Sequence, residues 1–145
     1  MPERETMERA RKDKRQGKSA STQAGEFVRE EIHHVREGKH GAKSTKQAIA
    51  IGLSKARRAG VDLPPPEMGV SEETREQADR DLKRAKSAKK TSRKRSSAIR
   101  KALKQEPRRA ASKEALSRHA KLADSKRTKA QRSASAKKAA RTRKR

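Results

Sequence analysis

The stretch from Gly38 to Gly60 holds the only dense cluster of aliphatic residues in a chain whose side chains are otherwise mostly charged. Hydrophobic residues make up 28% of the 145 positions, and many of them are alanine. Because so little apolar surface does not offset the entropy lost on folding, a core spanning the whole chain is not expected. The sequence therefore predicts a mostly α and disordered protein with one small ordered patch, and it argues against a compact enzyme.

Charge divides the chain into parts. The formal net charge is +25, and the last 63 residues carry 26 basic and three acidic groups. Together with the apolar pattern and the prolines, this distribution predicts five segments. They are a flexible basic leader (1–24), a helical hairpin (25–63), a Pro-rich linker (64–70), a charged helix (71–90) and a low-complexity basic tail that is disordered or conditionally helical (91–145).

Apolar spacing predicts the first helix of the hairpin. Phe27, Ile32 and Val35 lie on one stripe of a helix, and Gly38 is placed to end that helix as a C-terminal cap. The same stripe continues in the second helix. The residues expected to pack the hairpin are Phe27, Ile32, Val35, Ile49 and Leu53.

Capping signals bound the second helix. Ser44 and Gln47 fit a capping box, in which each side chain bonds a free N–H of the first turn. Gly60 is placed for a left-handed cap, and the prolines at 64–66 forbid continuation. Because a 39-residue hairpin has little core of its own, we expect its apolar stripe to be completed by a second copy, as a homodimer.

A third helix is predicted to begin after Ser71, a residue type that caps helix N-termini. Its first turn is acidic, with Glu72 and Glu73, and its end is basic, with Lys83 and Arg84, an order that complements the helix dipole. Hardly any apolar face accompanies this pattern. We therefore expect a solvated helix.

The loop between the hairpin helices raises the question of a phosphate site. A nucleotide-binding P-loop needs two glycines separated by four residues and followed by Lys-Ser/Thr, whereas Gly38 and Gly41 are separated by two residues and Ala42 precedes Lys43. Nucleotide hydrolysis is therefore not expected. Two interpretations stay open: the loop lysines contact a nucleic-acid phosphate at the helix N-terminus, or the glycines only turn the chain.

Histidines invite a metal interpretation, which the spacing does not favour. His33 and His34 are adjacent and project apart on a helix, His40 lies in the loop, and no carboxylate pattern completes a set with them. Cysteine is absent, which removes disulfides, zinc fingers and thiol catalysis. We therefore predict no catalytic residue, no metal and no cofactor.

The basic tail carries the strongest functional signal. A net charge of +23 over 63 residues exceeds what solubility needs, and such a segment repels itself unless a polyanion is present. Few aromatic residues are available to stack on single-stranded bases, so backbone contact with duplex DNA is favoured. The expected phosphate contacts are Lys39, Lys43, Lys46, Lys55, Arg57, Arg58, Lys89, Lys90, Arg93, Lys94, Arg95, Arg100, Lys101, Arg108, Arg109, Lys137, Lys138, Arg141, Arg143, Lys144 and Arg145.

Two resemblances support this interpretation. Residues 26–66, with the core KHG…TKQAIAIGLSKARRAG from Lys39 to Gly60, resemble a family of small basic bacterial proteins catalogued as a domain of unknown function. The Ala/Lys/Arg/Ser tail resembles histone-H1-like and other bacterial nucleoid tails. Together they imply a DNA-associated bacterial protein.

The sequence thus predicts non-enzymatic, largely sequence-nonspecific DNA binding of a histone-like, nucleoid-associated kind. The alternatives are an RNA- or ribosome-associated basic protein, and a protein-interaction hairpin that the tail localises. No apolar run approaches the roughly 20 residues of a membrane span. No secretory signal is recognisable near residue 1 either, so we expect a cytoplasmic, nucleoid-associated location.

Overall fold

The structure is a computed structural model, and it describes residues 1–66, 70–87 and 92–143. These ranges contain seven α-helices and one short 3-10 helix. In chain order they are α1 (Arg4–Arg15), α2 (Ala20–Glu37), α3 (Thr45–Arg58), α4 (Glu72–Ala85), α5 (Arg93–Gln105), the 3-10 helix Arg108–Ala111, α6 (Lys113–Ser125) and α7 (Lys129–Arg143). The predicted α class is confirmed. Among these helices, none combines the length and apolar character needed to cross a membrane.

Helices α2 and α3 form the predicted hairpin, and its local signals are confirmed. Gly38 caps α2 in the left-handed conformation, with φ 77°. The Ser44 hydroxyl accepts the backbone N–H of Gln47 at 3.1 Å. The Gln47 side chain reaches back to the N–H of Lys43 at 2.6 Å, one residue before the position that a standard capping box uses. The loop follows helix α2, whereas a nucleotide-binding P-loop follows a β-strand.

Small residues allow the two hairpin helices to touch. Ala48, Gly52 and Ala56 follow one another at intervals of four along α3, and all three are buried. A Cβ atom added at Gly52 would lie 2.6 Å from Val28 Cα, so the α2 backbone occupies the space of a side chain. The close approach of α2 and α3 thus depends on glycine at this position.

The N-terminal segment differs from the flexible leader that the sequence predicted. Residues 4–15 form helix α1, which packs along α2, and α2 itself begins at Ala20. Thr6 and Ala10 are buried one turn apart on the packed face. Arg9 adds an ion pair to Glu26 of α2 at 2.6 Å. Because Met7 is the one large apolar side chain of α1 and the buried residues beside it are small or polar, an apolar periodicity did not reveal this face.

The hairpin stripe is covered from within the chain. Phe27, Ile32 and Val35 are buried as predicted, whereas Ile49 and Leu53 are half-buried. Two core clusters result. The first consists of Ile32, Val35, Ala42, Ala48, Ala110 and Ala111, with Val28 and Leu116 against it. The second consists of Ala10, Ala24, Phe27, Ala56 and Val61, with Met7, Ala20, Leu53, Ala59 and Leu63 against it. Most of the stripe that motivated a homodimer is thus covered by α1 and by residues 110–116, whereas the half-buried Ile49 belongs to neither cluster.

Helix α4 is capped by Ser71 as predicted, but it is not fully solvated. Ala78 and Asp81 are buried against α3. The Asp81 carboxylate accepts a short hydrogen bond from the Ser54 hydroxyl and lies 3.5 Å from the Arg58 guanidinium. Helix α4 therefore packs on α3 through one small apolar residue and one buried carboxylate, without an extended apolar face. Residues 67–69 of the predicted linker and 88–90 of the predicted charged helix lie outside the described ranges.

The described part of the basic tail is helical and only partly solvated. Helix α7 is exposed along its length, and it has no apolar face. The 3-10 helix Arg108–Ala111 instead contacts α2 and α3, and α6 extends this contact to α3. Of the two states that the sequence left open for this tail, the helical one is present here.

Candidate functional site

The loop between α2 and α3 binds the chain's own C-terminal segment through its backbone. The N–H of Gly41 donates to the carbonyl oxygen of Leu103 at 2.8 Å, and the N–H of Ala42 donates to that of Pro107 at 3.1 Å. A Cβ atom at Gly41 would lie 1.7 Å from the carbonyl oxygen of Glu106. Glycine is therefore needed here because another backbone passes directly over it.

Side chains of the hairpin extend this contact to the 3-10 helix. The Thr45 hydroxyl donates to the carbonyl oxygen of Ala110 at 2.6 Å. The Arg36 guanidinium donates to that of Ala111 at 2.8 Å. Both alanines are buried in the first core cluster. Beyond the two interpretations left open by the sequence, the loop thus has a third role, which is to anchor residues 103–111.

Four of the six hairpin cations predicted to contact phosphate are engaged within the chain. Lys39 pairs with Glu3 at 3.0 Å and with Glu37 at 3.1 Å, and Lys55 lies among buried carboxylates. Arg58 faces Asp81. These side chains already have anionic partners, so a phosphate would compete with a carboxylate for each of them.

Arg57 is the fourth engaged cation, and its role is structural. It is 8% exposed, and its guanidinium donates to the carbonyl oxygens of Leu63 at 3.1 Å and Pro64 at 3.3 Å. Burial lowers the pKa of this guanidinium below its ordinary value, with nearby carboxylates acting in the opposite direction. Arg57 therefore ties the end of α3 to the segment that follows it.

Lys43 and Lys46 differ from the other hairpin cations. Both are exposed beside the N-terminus of α3, and neither ammonium group forms an ion pair with a described residue. The capping box already uses the N–H of Gln47, so the helix offers fewer free donors than an uncapped N-terminus would. A phosphate at this end of α3 would be held mainly by the two lysine side chains.

The predicted tail cations that the structure describes are almost all free of acidic partners. Residues 92–143 carry 19 basic and three acidic groups. Within this range there is one salt bridge, between Arg132 and Asp124 at 3.7 Å. The exposed predicted contacts are Arg93, Lys94, Arg95, Arg100, Lys101, Arg108, Arg109, Lys137, Lys138, Arg141 and Arg143. Lys89, Lys90, Lys144 and Arg145 lie outside the described ranges.

The start of α5 concentrates positive charge where a helix least favours it. Arg93, Lys94 and Arg95 occupy its first turn, at the positive end of the helix dipole, and Ser92 makes no capping hydrogen bond there. An anion bound at this turn would relieve the repulsion among these side chains and the dipole. The first turn of α5 is thus an electrostatically favourable place for a phosphate.

A second cluster lies around a buried carboxylate of α2. Glu31 is 1% exposed, and its Oε1 atom lies 2.5 Å from Nε2 of His40. Lys55 Nζ lies 2.6 Å from Oε2 but out of hydrogen-bond alignment, so that oxygen has no hydrogen bond. His34 completes the group, with a ligand atom within 4.8 Å of those of Glu31 and His40.

Glu3 joins this cluster from the start of the chain. Its Oε1 atom lies 2.9 Å from His34 Nε2 and 3.0 Å from Lys39 Nζ. The hydrogen bond to His34, followed by that to Lys39, lowers the pKa of Glu3 from 4.5 to about 2. The Glu3 carboxylate therefore stays ionised throughout the physiological pH range. Its bonds to His34 and Lys39 hold the start of α1 against the end of α2.

Sequence reasoning considered the histidines but missed Glu31. The structure brings His34 and His40 together and leaves His33 exposed and outside the group. The available signal was the spacing of Glu31 and His34, which are three residues apart and so share one helix face. No sequence pattern predicted the position of His40, because no residue near it indicates that the loop turns back onto that face of α2.

Residues 11–67 match a family of unknown function (DUF6496). The matched segment contains the last five residues of α1, the whole hairpin, the loop with its glycines and the Arg57 tie, and it ends before α4. The chain is thus similar over this part to an uncharacterised family. No curated protein and no solved structure matches the chain.

Proposed function

We propose that this protein is a non-enzymatic, largely sequence-nonspecific nucleic-acid-binding protein that prefers duplex DNA. It would act in the manner of a histone-like, nucleoid-associated bacterial protein. The α-helical body, formed by α1 to α4, carries the matched family segment, and the helices of residues 92–143 supply most phosphate contacts. Affinity in this arrangement comes from charge neutralisation and counterion release, with little information read from bases.

The observation that carries the proposal is the segregation of paired and unpaired charge. In the body, carboxylates on α1, α2 and α4 pair with neighbouring cations. In residues 92–143, 19 basic side chains face three acidic ones, and nearly all of the basic ones are exposed. A polyanion is the partner that such a surface stabilises best.

The anchored segment gives the basic helices a fixed origin. Residues 103–111 are held by the α2–α3 loop, with α5 before them and α6 after them. The strongly cationic helix α5 and the weakly cationic helix α6 thus leave the body from one place, rather than from a free chain end. This arrangement favours a duplex, whose phosphates follow a regular path, over an irregular single strand.

The test is a salt titration of duplex DNA, single-stranded DNA and structured RNA against full-length protein. Truncation of the tail is unsuitable, because residues 110 and 111 belong to the core. We instead compare a fourfold glutamine variant on α7 with a fourfold glutamine variant on α1, both at exposed positions. The α7 set is Lys137, Lys138, Arg141 and Arg143, and the α1 set is Arg11, Lys12, Lys14 and Arg15.

We expect the α7 variant to bind duplex DNA more weakly, with the salt slope reduced by about 0.9 for each phosphate that is no longer neutralised. The α1 variant should retain most of its affinity. Equal weakening of both variants would show that net charge alone drives binding, and unchanged affinity in the α7 variant would contradict the proposal. Tighter binding of structured RNA than of duplex DNA would favour the RNA- or ribosome-associated alternative.

Lys43 and Lys46 test whether the body also contacts the polyanion. We expect the full-length variant with both lysines changed to alanine to bind DNA with a smaller salt slope than the parent. The difference should be about the contribution of two neutralised phosphates. The matched control changes Lys39 to alanine, because that ammonium is already paired with Glu3 and Glu37. Equal affinity of the double variant and the parent would remove the hairpin loop from the interface.

A further inference from the structure

We propose that Glu31, His34 and His40 bind a divalent transition-metal ion with the coordination chemistry of Zn²⁺. One carboxylate oxygen and two imidazole nitrogens would be the protein ligands. Two histidines and one carboxylate, with a position left for water, form a ligand set that zinc accepts. The nitrogen ligands favour such an ion over Mg²⁺ or Ca²⁺, which prefer oxygen.

The three side chains already converge without a metal ion. Their ligand atoms lie within 4.8 Å of one another, and the two imidazole rings meet edge to face with centroids 6.1 Å apart. Glu31 and His34 share one face of α2, and the loop after Gly38 brings His40 to that face. Exposure is low, at 1% for the Glu31 side chain and 12% for each histidine side chain. The ligands are therefore held in position by the fold.

The contact between His40 and Glu31 requires a positive charge between the two atoms. His40 Nδ1 lies 2.9 Å from the carbonyl oxygen of Gly41, which can only accept, so Nδ1 carries a proton. In the neutral ring, Nε2 then presents a lone pair to Glu31 Oε1 at 2.5 Å. Two lone pairs at this distance repel each other, so either a second proton or a metal ion must lie between them.

A metal ion fits this position with a small displacement. Zinc–nitrogen and zinc–oxygen bonds of about 2.0–2.2 Å place two ligand atoms on one ion roughly 3 Å apart or slightly more. His40 would therefore move away from Glu31 by less than about 1 Å. Lys55 stays on the other carboxylate oxygen, Oε2, where it balances the charge of that atom without blocking Oε1.

One ring nitrogen of each histidine has a partner of the kind that metal sites use, which leaves the other nitrogen for the ion. Glu3 holds His34 at Nε2, and the Gly41 carbonyl holds His40 at Nδ1. Such partners orient the ring and raise the basicity of the nitrogen that binds the metal. These hydrogen bonds fix the orientation of both imidazole rings, which an ordinary ion pair does not require.

The test uses metal-free, full-length, tag-free protein titrated with Zn²⁺ by calorimetry, and with Co²⁺ by its visible absorption. We expect one ion per chain and a rise in the thermal unfolding midpoint that a chelator reverses. Because protons compete for the same nitrogens, the affinity should fall as the pH is lowered, and binding should release protons. Absence of Zn²⁺ binding, with the helical content intact, would overturn the proposal and leave a proton-held ion pair.

Variants separate the site from adventitious binding. His34→Gln and His40→Gln should each weaken Zn²⁺ binding by at least roughly tenfold, and Glu3→Gln by about 10- to 100-fold through the orientation of His34. His33→Gln is the matched control, since that residue is adjacent, exposed and outside the cluster. If the His33 control and the His40 variant lose Zn²⁺ affinity equally, the ion does not bind at the proposed site.

A measurement on the unmodified protein keeps the test independent of folding in the variants. Zn²⁺ should shift the imidazole nitrogen resonances of His34 and His40 and leave those of His33 and His119 unchanged. Shifts confined to His33 or His119 would contradict the assignment even if the variants fail to fold.

Discussion

The backbone N–H of Gly41 donates to the carbonyl oxygen of Leu103 at 2.8 Å, which joins the α2–α3 loop to the end of α5. The two residues are far apart in the chain and belong to segments of different composition. Since the carbonyl oxygen of Glu106 also lies where a Gly41 side chain would begin, this contact decides which residue the loop accepts.

Gly41→Ala should separate the C-terminal segment from the hairpin. The added Cβ would meet backbone atoms, which cannot move aside as a flexible side chain does. We expect the free energy of unfolding to fall by about 1–3 kcal/mol, because buried hydrogen-bonding groups would be left without partners. Amide exchange at Ala42 and proteolysis near residues 103–111 measure the separation.

Gly25→Ala is the matched control for this change. Gly25 lies within α2, and nothing approaches within 4 Å of an added Cβ. Alanine there should stabilise the helix by about 0.5–1 kcal/mol. If Gly41→Ala raises the unfolding midpoint as Gly25→Ala does, the contact at Gly41 does not stabilise the fold.

Gly52→Ala should push α3 away from α2. The added Cβ would lie 2.6 Å from Val28 Cα and 3.0 Å from its Cγ2 atom. Overpacking of this kind costs about 1–3 kcal/mol. Chemical denaturation against the same Gly25 control measures the destabilisation, and a neutral result would mean that the hairpin helices do not approach this closely in solution.

Asp81→Ala should release α4 from α3. The Asp81 carboxylate is buried, accepts from Ser54 and faces Arg58, and its removal leaves these groups without their partner. We expect a cost of about 1–3 kcal/mol, localised to α4. Hydrogen exchange along residues 72–85 is the measurement. Asp79→Ala, at an exposed position of the same helix, should leave exchange unchanged, and equal effects of the two variants would argue against the docking.

Ser112→Ala should weaken the start of α6 in a pH-dependent way. The Ser112 hydroxyl accepts the N–H of Ala115 at 3.1 Å, and removal of such a cap costs about 0.5–2 kcal/mol. Backbone hydrogen bonding, followed by the hydrogen bond to Ser112, lowers the pKa of Glu114 below 4.5. The variant should therefore raise the pKa of Glu114, which a carboxyl NMR titration measures.

The sign of the pH effect follows from that shift. Because the folded-state pKa of Glu114 lies below its ordinary value, its ionised form stabilises α6 above pH 4.5. This contribution disappears as the pH falls through the folded-state pKa. Ser117→Ala, an exposed serine further along α6, is the control. An unchanged Glu114 pKa in the Ser112 variant would show that the serine does not bond the carboxylate.

Local signals in the sequence were sufficient for the hairpin, its turn and its C-terminal end, whereas the predicted start at Gly25 missed the true start of α2 at Ala20. Gly38, the pair Ser44 and Gln47, and Ser71 each act on hydrogen bonds within about four residues, so their chemistry can be read without knowledge of the fold. The buried stripe of Phe27 and Val35 followed from helical periodicity for the same reason. The segregation of charge toward the C-terminal end is likewise a property of the sequence alone.

The tertiary structure alone decided which segments cover that hairpin and which polar groups meet. The hydrogen bonds from Thr45 to Ala110 and from Arg36 to Ala111 join residues 65 and 75 positions apart. Alanines in a tail rich in alanine carry no distinguishing local signal, and burial of a small side chain depends on shape that only the assembled helices provide. The convergence of Glu31 and His40 depends in the same way on the path of the loop. No repeating sequence pattern predicts a contact between two isolated side chains.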